Sequence, residues 1–330
     1  MLSAVIIGLG RIGVGRGVSK QGNLPNHLKA MHAAGLPIAG VVDPDKEARA
    51  FIRDDHPANA FQFANCLSEI PRQDNELIAI CTPVETHASL LSQALARQPR
   101  LIVLEKPAAE NFKNASALLE EARSHDTDVL VNFHRRFDPR HRRWKKKSPD
   151  SPRLVTARFG KGLWNYASHI VDLLLDWYGP VESVQALAQE QPRQSDPNLS
   201  FRCRMVTGFD AVLIGVDDVN YDQFEIDIYG TNEKIEMRGG GCVIRKCHAV
   251  DDHYHEGYAD LVEGDGDTGP VDGFRELYEH IIDCHETGDL VSGCTLSTAV
   301  ENAAILDAAL ISASRGGISV EPKFSRSERS

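Results

Sequence analysis

The apolar run SAVIIG at 3–8 leads without a loop into GLGRIG at 8–13. A strand that ends in glycines spaced GxGxxG and opens a helix admits few folds. Gly8 permits the tight turn, Gly10 lets a pyrophosphate approach the backbone, and Gly13 lets helix and strand pack closely. The helix N-terminus then faces the phosphates, with Arg11 and Ile12 beside them. Over the first 132 residues, short apolar runs alternate with helical patterns. Strands are expected at 3–8, 37–42, 76–81, 101–104 and 128–132, with a weaker one near 61–64. Helices are expected at 11–20, 26–34, 45–54, 84–97 and 110–124. This alternation predicts a doubly wound parallel sheet, a Rossmann domain over 1–132. The competing reading of the glycines is a plain turn, which their place at the head of a βαβ series disfavours.

Such sheets bind ligands at the carboxyl ends of their strands. Asp43 ends the second strand, in VVDPD, where a carboxylate meets ribose hydroxyls and repels a 2′-phosphate. NAD is therefore expected over NADP, although Arg11 or Arg16 could pair with such a phosphate. Asp43 could equally cap the helix after Pro44. Cys81-Thr82-Pro83 ends the fourth strand, and Thr82 and Pro83 are expected at the nicotinamide ribose with His87 close behind. LIVLEKP at 101–107 reads as a buried strand running into Glu105, Lys106 and Pro107. An ordinary lysine has a pKa of about 10.4. Partial burial beside a cationic nicotinamide lowers it, which suits Lys106 to acid/base work. Glu105 would oppose that shift, so its carboxylate is expected to turn away or engage the backbone.

After about residue 150 the pattern changes. Strands are expected at 153–160, 181–189, 199–207, 210–217, 223–230, 233–238 and 241–247, close together as in an antiparallel sheet. Helices at 165–177, 270–287 and 297–313 are expected to pack on it, which makes 133–330 an α+β domain. In WNYASHIVDLLLDW at 164–177, Asn165, His169 and Asp172 are spaced i, i+4, i+7 and share a face. With Trp164 beside them, they suit substrate hydroxyls. From spacing alone, a solvated helix face is the simpler reading. HRRFDPRHRRWKKK at 134–147 is densely basic, and most of its charges are expected to be solvated. Arg135 and Arg136, with Lys161 further on, could instead contact an anionic substrate. The stretch 248–267 holds three histidines and seven acidic residues without ligand spacing, and reads as an exposed loop.

The chain of 330 residues is long enough for two domains, and its net charge of −11 argues against nucleic-acid binding. No apolar run approaches the roughly 18 residues of a membrane span, and no signal peptide is evident, so a cytoplasmic location is expected. The seven cysteines show no CxxC spacing, so free thiols and no metal site are expected. The tail at 325–330 is expected to be disordered.

In order and spacing, GLGRIG, VVDPD, CTPVETH at 81–87, EKP at 105–107, VNFHRRFDP at 131–139 and WNYASHIVD at 164–172 resemble the Gfo/Idh/MocA oxidoreductases. The resemblance spans almost the whole chain. It implies a Rossmann domain followed by an α+β domain whose large open sheet forms homodimers or homotetramers. It implies that Lys106 touches nicotinamide and substrate, that the bond before Pro107 is often cis, and that Arg136 matches a family arginine. His169 and Asp172 match the helix motif. Asn165 stands where an aspartate is common, and His134 where asparagine is. An amide holds a hydroxyl but cannot take its proton, which shifts acid/base duty to Lys106 and His169. The implied activity is hydride transfer between NAD and a secondary alcohol of a sugar, cyclitol or sugar derivative, possibly anionic or nucleotide-linked. An NAD-dependent glycoside hydrolase and a non-catalytic NAD-binding regulator are the alternatives.

Overall fold

The computed structural model describes residues 2–17, 25–53, 60–125, 127–187, 196–251, 255–289 and 292–324. The expected tail lies outside these, as do parts of the stretches expected as helices at 11–20 and 45–54, as a strand at 181–189 and as a loop at 248–267. The chain divides into two compact units, 1–138 with 272–300, and 139–271 with 301–330.

The first unit contains β1 (Ser3–Ile7), α1 (Arg11–Val14), α2 (His27–Ala33), β2 (Ile38–Val42), α3 (Lys46–Arg53), β3 (Gln62–Ala64), β4 (Glu76–Ile80), α4 (His87–Leu95), β5 (Leu101–Leu104), α5 (Phe112–Ser124) and β6 (Asp128–Val131). The strands are all parallel, in the order β3-β2-β1-β4-β5-β6. This is the strand order of the Rossmann fold. ELIAI in β4 and LIVL in β5 are buried throughout, as strands covered on both faces require. The one charge among them, Glu76, is met by the Arg97 fork at 2.6 and 2.9 Å. α1 is shorter than expected because Gly15 closes it in the left-handed region at φ 84°. α2 and α5 start at asparagine caps, where Asn26 accepts the Lys29 amide at 3.0 Å and Asn111 the Asn114 amide at 2.9 Å.

The second unit begins with α6 (Pro139–Lys147), β7 (Leu154–Phe159), α7 (Ser168–Tyr178) and β8 (Val181–Ala186). It continues through β9 (Phe201–Met205), β10 (Asp210–Gly215), β11 (Phe224–Tyr229), β12 (Glu233–Arg238), β13 (Val243–Asp251) and β14 (Ala259–Thr268). They form one sheet in the order β14-β13-β12-β11-β7-β10-β9-β8, antiparallel except for β7 beside β10. The strand expected at 241–247 is thus the first part of β13, and the stretch expected as an exposed loop supplies the rest of β13 and nearly all of β14. β14 is exposed along nearly its whole length, so no alternation of apolar and polar residues betrays it. The basic helix α6 is not simply solvated either. Trp144 Nε1 donates to Asp267 at 2.6 Å, Lys147 pairs with Asp265 at 2.6 Å, and Arg143 pairs with Asp267. Lys145 pairs with Asp176 at 2.9 Å.

The chain ends with α8 (Phe274–Thr287) and α9 (Leu296–Ser314). α8 corrects an expectation. Its apolar stripe, Phe274, Leu277, Tyr278 and Ile281, joins the core of the first unit, not the antiparallel sheet. Periodicity shows that a face is buried and leaves open what covers it. α9 also revises the sequence reading, since it has the length and mean hydropathy (1.3) of a membrane span. With 72% of that window buried inside the protein, it behaves as a core helix.

Phe159 is fully buried on β7, amid the second unit's core. Phe159→Ala should lower the unfolding free energy by about 3–5 kcal/mol, read as a lower urea midpoint at unchanged slope.

Candidate functional site

At the carboxyl ends of β1, β2 and β4 lies a cleft of about 630 Å³, lined by Gly8, Gly10, Asp43, Pro44, Thr82 and Pro83 among others. Gly8 is left-handed at φ +95°, and a Cβ there would stand 2.7 Å from Thr82 Cγ2 and 2.8 Å from the Cys81 carbonyl oxygen. A Cβ on Gly13 would lie 2.1 Å from the Gly8 carbonyl oxygen. A Cβ on Gly10 would meet nothing within 4 Å, so this glycine borders open space that a pyrophosphate fits. Ile12 packs against the core of the unit, while Arg11 is exposed.

Asp43 ties this loop to the second strand. Its Oδ2 accepts the Leu9 amide and its Oδ1 the Asp45 amide, both at 2.8 Å. Each oxygen retains a lone pair for a ribose hydroxyl. The helix-capping alternative goes to Asp45, whose Oδ1 accepts the Glu47 amide at 2.9 Å. Thr86 Oγ1 lies 2.7 Å from both Thr82 Oγ1 and the Pro83 carbonyl oxygen. His87 is buried, with Nδ1 3.1 Å from the Ala108 carbonyl and Nε2 3.0 Å from that of Thr82. It braces the turn behind the cleft and does not line it.

β4 and β5 pair with Ile80 opposite Leu104, so Thr82 and Lys106 leave the same sheet edge two residues later. Lys106 is half-buried and the Lys106–Pro107 peptide is cis. Glu105 engages the backbone, one of the two expected outcomes. Its Oε1 receives His27 Nε2 at 2.8 Å and Asn132 Nδ2 at 2.6 Å, and its Oε2 receives the Lys106 amide at 3.3 Å. His27 Nδ1 is 2.5 Å from the Tyr278 hydroxyl. Burial alone would raise the Glu105 carboxyl. The hydrogen bond and charge of His27, the Asn132 amide and the Lys106 charge overcome it and hold the group below its ordinary 4.5. Burial, with the nearby Glu105 carboxylate, pushes the Tyr278 phenol far up, so it stays neutral. Sequence reasoning missed His27, Asn132 and Tyr278. The one available signal was a polar residue inside an otherwise buried stretch, as in NHLKAM at 26–31. Arg135 and Arg136 follow β6 in a short 3₁₀ turn and are half-buried.

In the second unit, a single π-helical turn over Leu163–Ala167 runs into α7. Such turns recur at functional sites. The Trp164 and Asn165 amides donate to Asp196 at 2.7 and 3.2 Å, a carboxylate that sequence reasoning did not single out. His169 and Asp172 are 6% and 1% exposed, so the solvated-face reading fails for them, whereas Asn165 is exposed. Lys161 is already engaged, 2.8 Å from Asp222 and 3.0 Å from the Tyr166 hydroxyl, and so is not a free anion contact.

Residues 2–133 match the family described as "Oxidoreductase family, NAD-binding Rossmann fold", GFO_IDH_MocA. Inositol 2-dehydrogenase of Rhizobium meliloti (strain 1021) is 30% identical over 149 residues, 45% of this chain. The chain matches only 41% of that enzyme's length. Levoglucosan dehydrogenase, solved in complex with NADH, superposes with a TM-score of 0.77 at 14% identity, over 98% of this chain and 100% of its own. The WlbA dehydrogenase from Bordetella pertussis, solved with NADH and UDP-GlcNAcA, gives a TM-score of 0.73 at 20% identity, over 98% and 99% of the two chains. At such identities these two structures establish the fold.

His27→Ala removes a principal donor to a buried carboxylate and should cost about 3–5 kcal/mol in urea unfolding near neutral pH. Folding lowers the Glu105 pKa, so its contribution is complete above 4.5 and fades as the pH falls through the lower folded value. The wild type should lose stability across that acid window, with Glu105→Gln giving the flatter profile.

Proposed function

We propose that this chain, whose residues 2–133 match the Gfo/Idh/MocA oxidoreductases with their NAD-binding Rossmann fold, is a member of that family and an NAD-dependent dehydrogenase of polyols. The substrate is a secondary alcohol of a sugar, cyclitol or sugar derivative. The observation that carries this reading is Lys106, half-buried on the sheet edge it shares with the cleft-lining Thr82.

Gly8, Gly10 and Gly13 shape the pyrophosphate loop, with Arg11 and Ile12 in its helix. Asp43 receives the adenosine ribose, which favours NAD over NADP. Thr82 and Pro83 border the nicotinamide ribose, positioned by His87. When bound, the nicotinamide supplies the hydride acceptor. The neutral Nζ of Lys106 takes the hydroxyl proton as the carbonyl forms. Glu105 engages His27, Asn132 and the Lys106 backbone amide. Arg136 accommodates an anionic or nucleotide-linked sugar. In the second unit, buried His169, oriented by Asp172, is a second acid/base candidate, and Trp164 and Asn165 offer substrate contacts. The named relatives, dehydrogenases of inositol and levoglucosan, support the polyol class. Assembly through the eight-stranded sheet, in the cytoplasm, belongs to the same reading. The exposed Leu261 and Val262 on its edge hairpin support it.

Lys106→Ala should lower kcat by about 10²–10⁴-fold on an accepted polyol, with dinucleotide affinity little changed. His169→Ala should also slow turnover. A polyol panel followed by NADH absorbance identifies the substrate, and full turnover in both variants would overturn the assignment.

A further inference from the structure

We infer that cofactor choice is set by two carboxylates beyond Asp43: Asp45 and Glu47 hold Arg16 out of reach of a 2′-phosphate. This rests on the dinucleotide reading above. A guanidinium near the adenosine ribose is the group that accommodates the 2′-phosphate of NADP, by its bidentate fork. Arg16, just beyond the glycine loop, is such a group, but its fork is already engaged. One nitrogen donates to Asp45 Oδ2 at 2.6 Å, and the other lies 3.7 Å from Glu47 Oε2.

Asp45 is joined to the ribose-facing carboxylate, since its own amide donates to Asp43 Oδ1 at 2.8 Å. The bond to Arg16 holds the Asp45 carboxyl below its ordinary range, so it is ionised at neutral pH. Arg49, on α3, donates to the Asp43 carbonyl. A 2′-phosphate arriving here would have to displace Asp45 from Arg16 while facing Asp43 and Glu47. Asp43 excludes the phosphate by direct repulsion. Asp45 and Glu47 do so by occupying Arg16, a cation just beyond the glycine loop.

The test is fluorescence titration of the full chain with NADH and NADPH. Asp45→Asn with Glu47→Gln removes both charges and keeps the α3 cap, since asparagine caps as well as aspartate. NADPH affinity should rise about tenfold, the scale of one or two exposed charge interactions, while NADH affinity changes less than about twofold. Adding Arg16→Ala should cancel the gain, and raising the salt concentration should shrink it. Unchanged NADPH affinity with normal NADH binding would overturn the inference and leave the NAD reading standing. A gain that survives Arg16→Ala would also overturn it, by showing repulsion alone. Failure of the wild type to bind either dinucleotide would overturn both.

Discussion

A carboxylate withdrawn from water stays ionised only if donors replace the solvent. Glu105 meets that condition at the end of β5, through His27, Asn132 and the Lys106 amide. Much of the first unit is arranged around this requirement. His27 opens α2, Asn132 follows β6, and Tyr278 arrives on α8 from far along the chain to meet the other nitrogen of the imidazole. Four elements separated in sequence thus converge on one buried charge. The same arrangement ties the Lys106 backbone amide to Glu105, and the lysine's charge helps to keep that carboxylate ionised.

Charge is handled differently in the second unit. α6 and β14 are each strongly biased in sign, and each looks like a solvated or disordered segment when read alone. Together they neutralise one another through Asp265 and Asp267, with Trp144 supplying a buried anchor and an indole donor. The pairs through Lys147 and Arg143 are largely exposed, so their energetic weight is small. Their value lies in specifying where a hairpin without a hydrophobic face should lie.

The parallel sheet was legible from the sequence because β1, β2, β4, β5 and β6 are buried as continuous apolar runs, and the sites at their carboxyl ends follow from topology. The glycine loop, Asp43, Thr82 and Lys106 were legible for that reason. β14 was not, because a strand exposed on both faces carries no period. The packing of α8 was not, because its stripe does not name its partner. His27 and Glu105 lie 78 residues apart, and nothing local links a buried base to its acid. The spacing of Asn165, His169 and Asp172 was visible. The π-turn and the contrast between an exposed amide and two buried groups depend on tertiary packing.

The double duty of Asp43 constrains how this molecule can change. Its carboxylate is a structural acceptor for the amide of Leu9, within the glycine loop, and in the proposed function it is also the group that would face the ribose. Any replacement that relaxed its discrimination would also loosen the loop on which dinucleotide affinity depends. Selectivity at that position is therefore locked to the integrity of the fold. The freedom to drift lies in the exposed carboxylates one turn away, which the loop does not need.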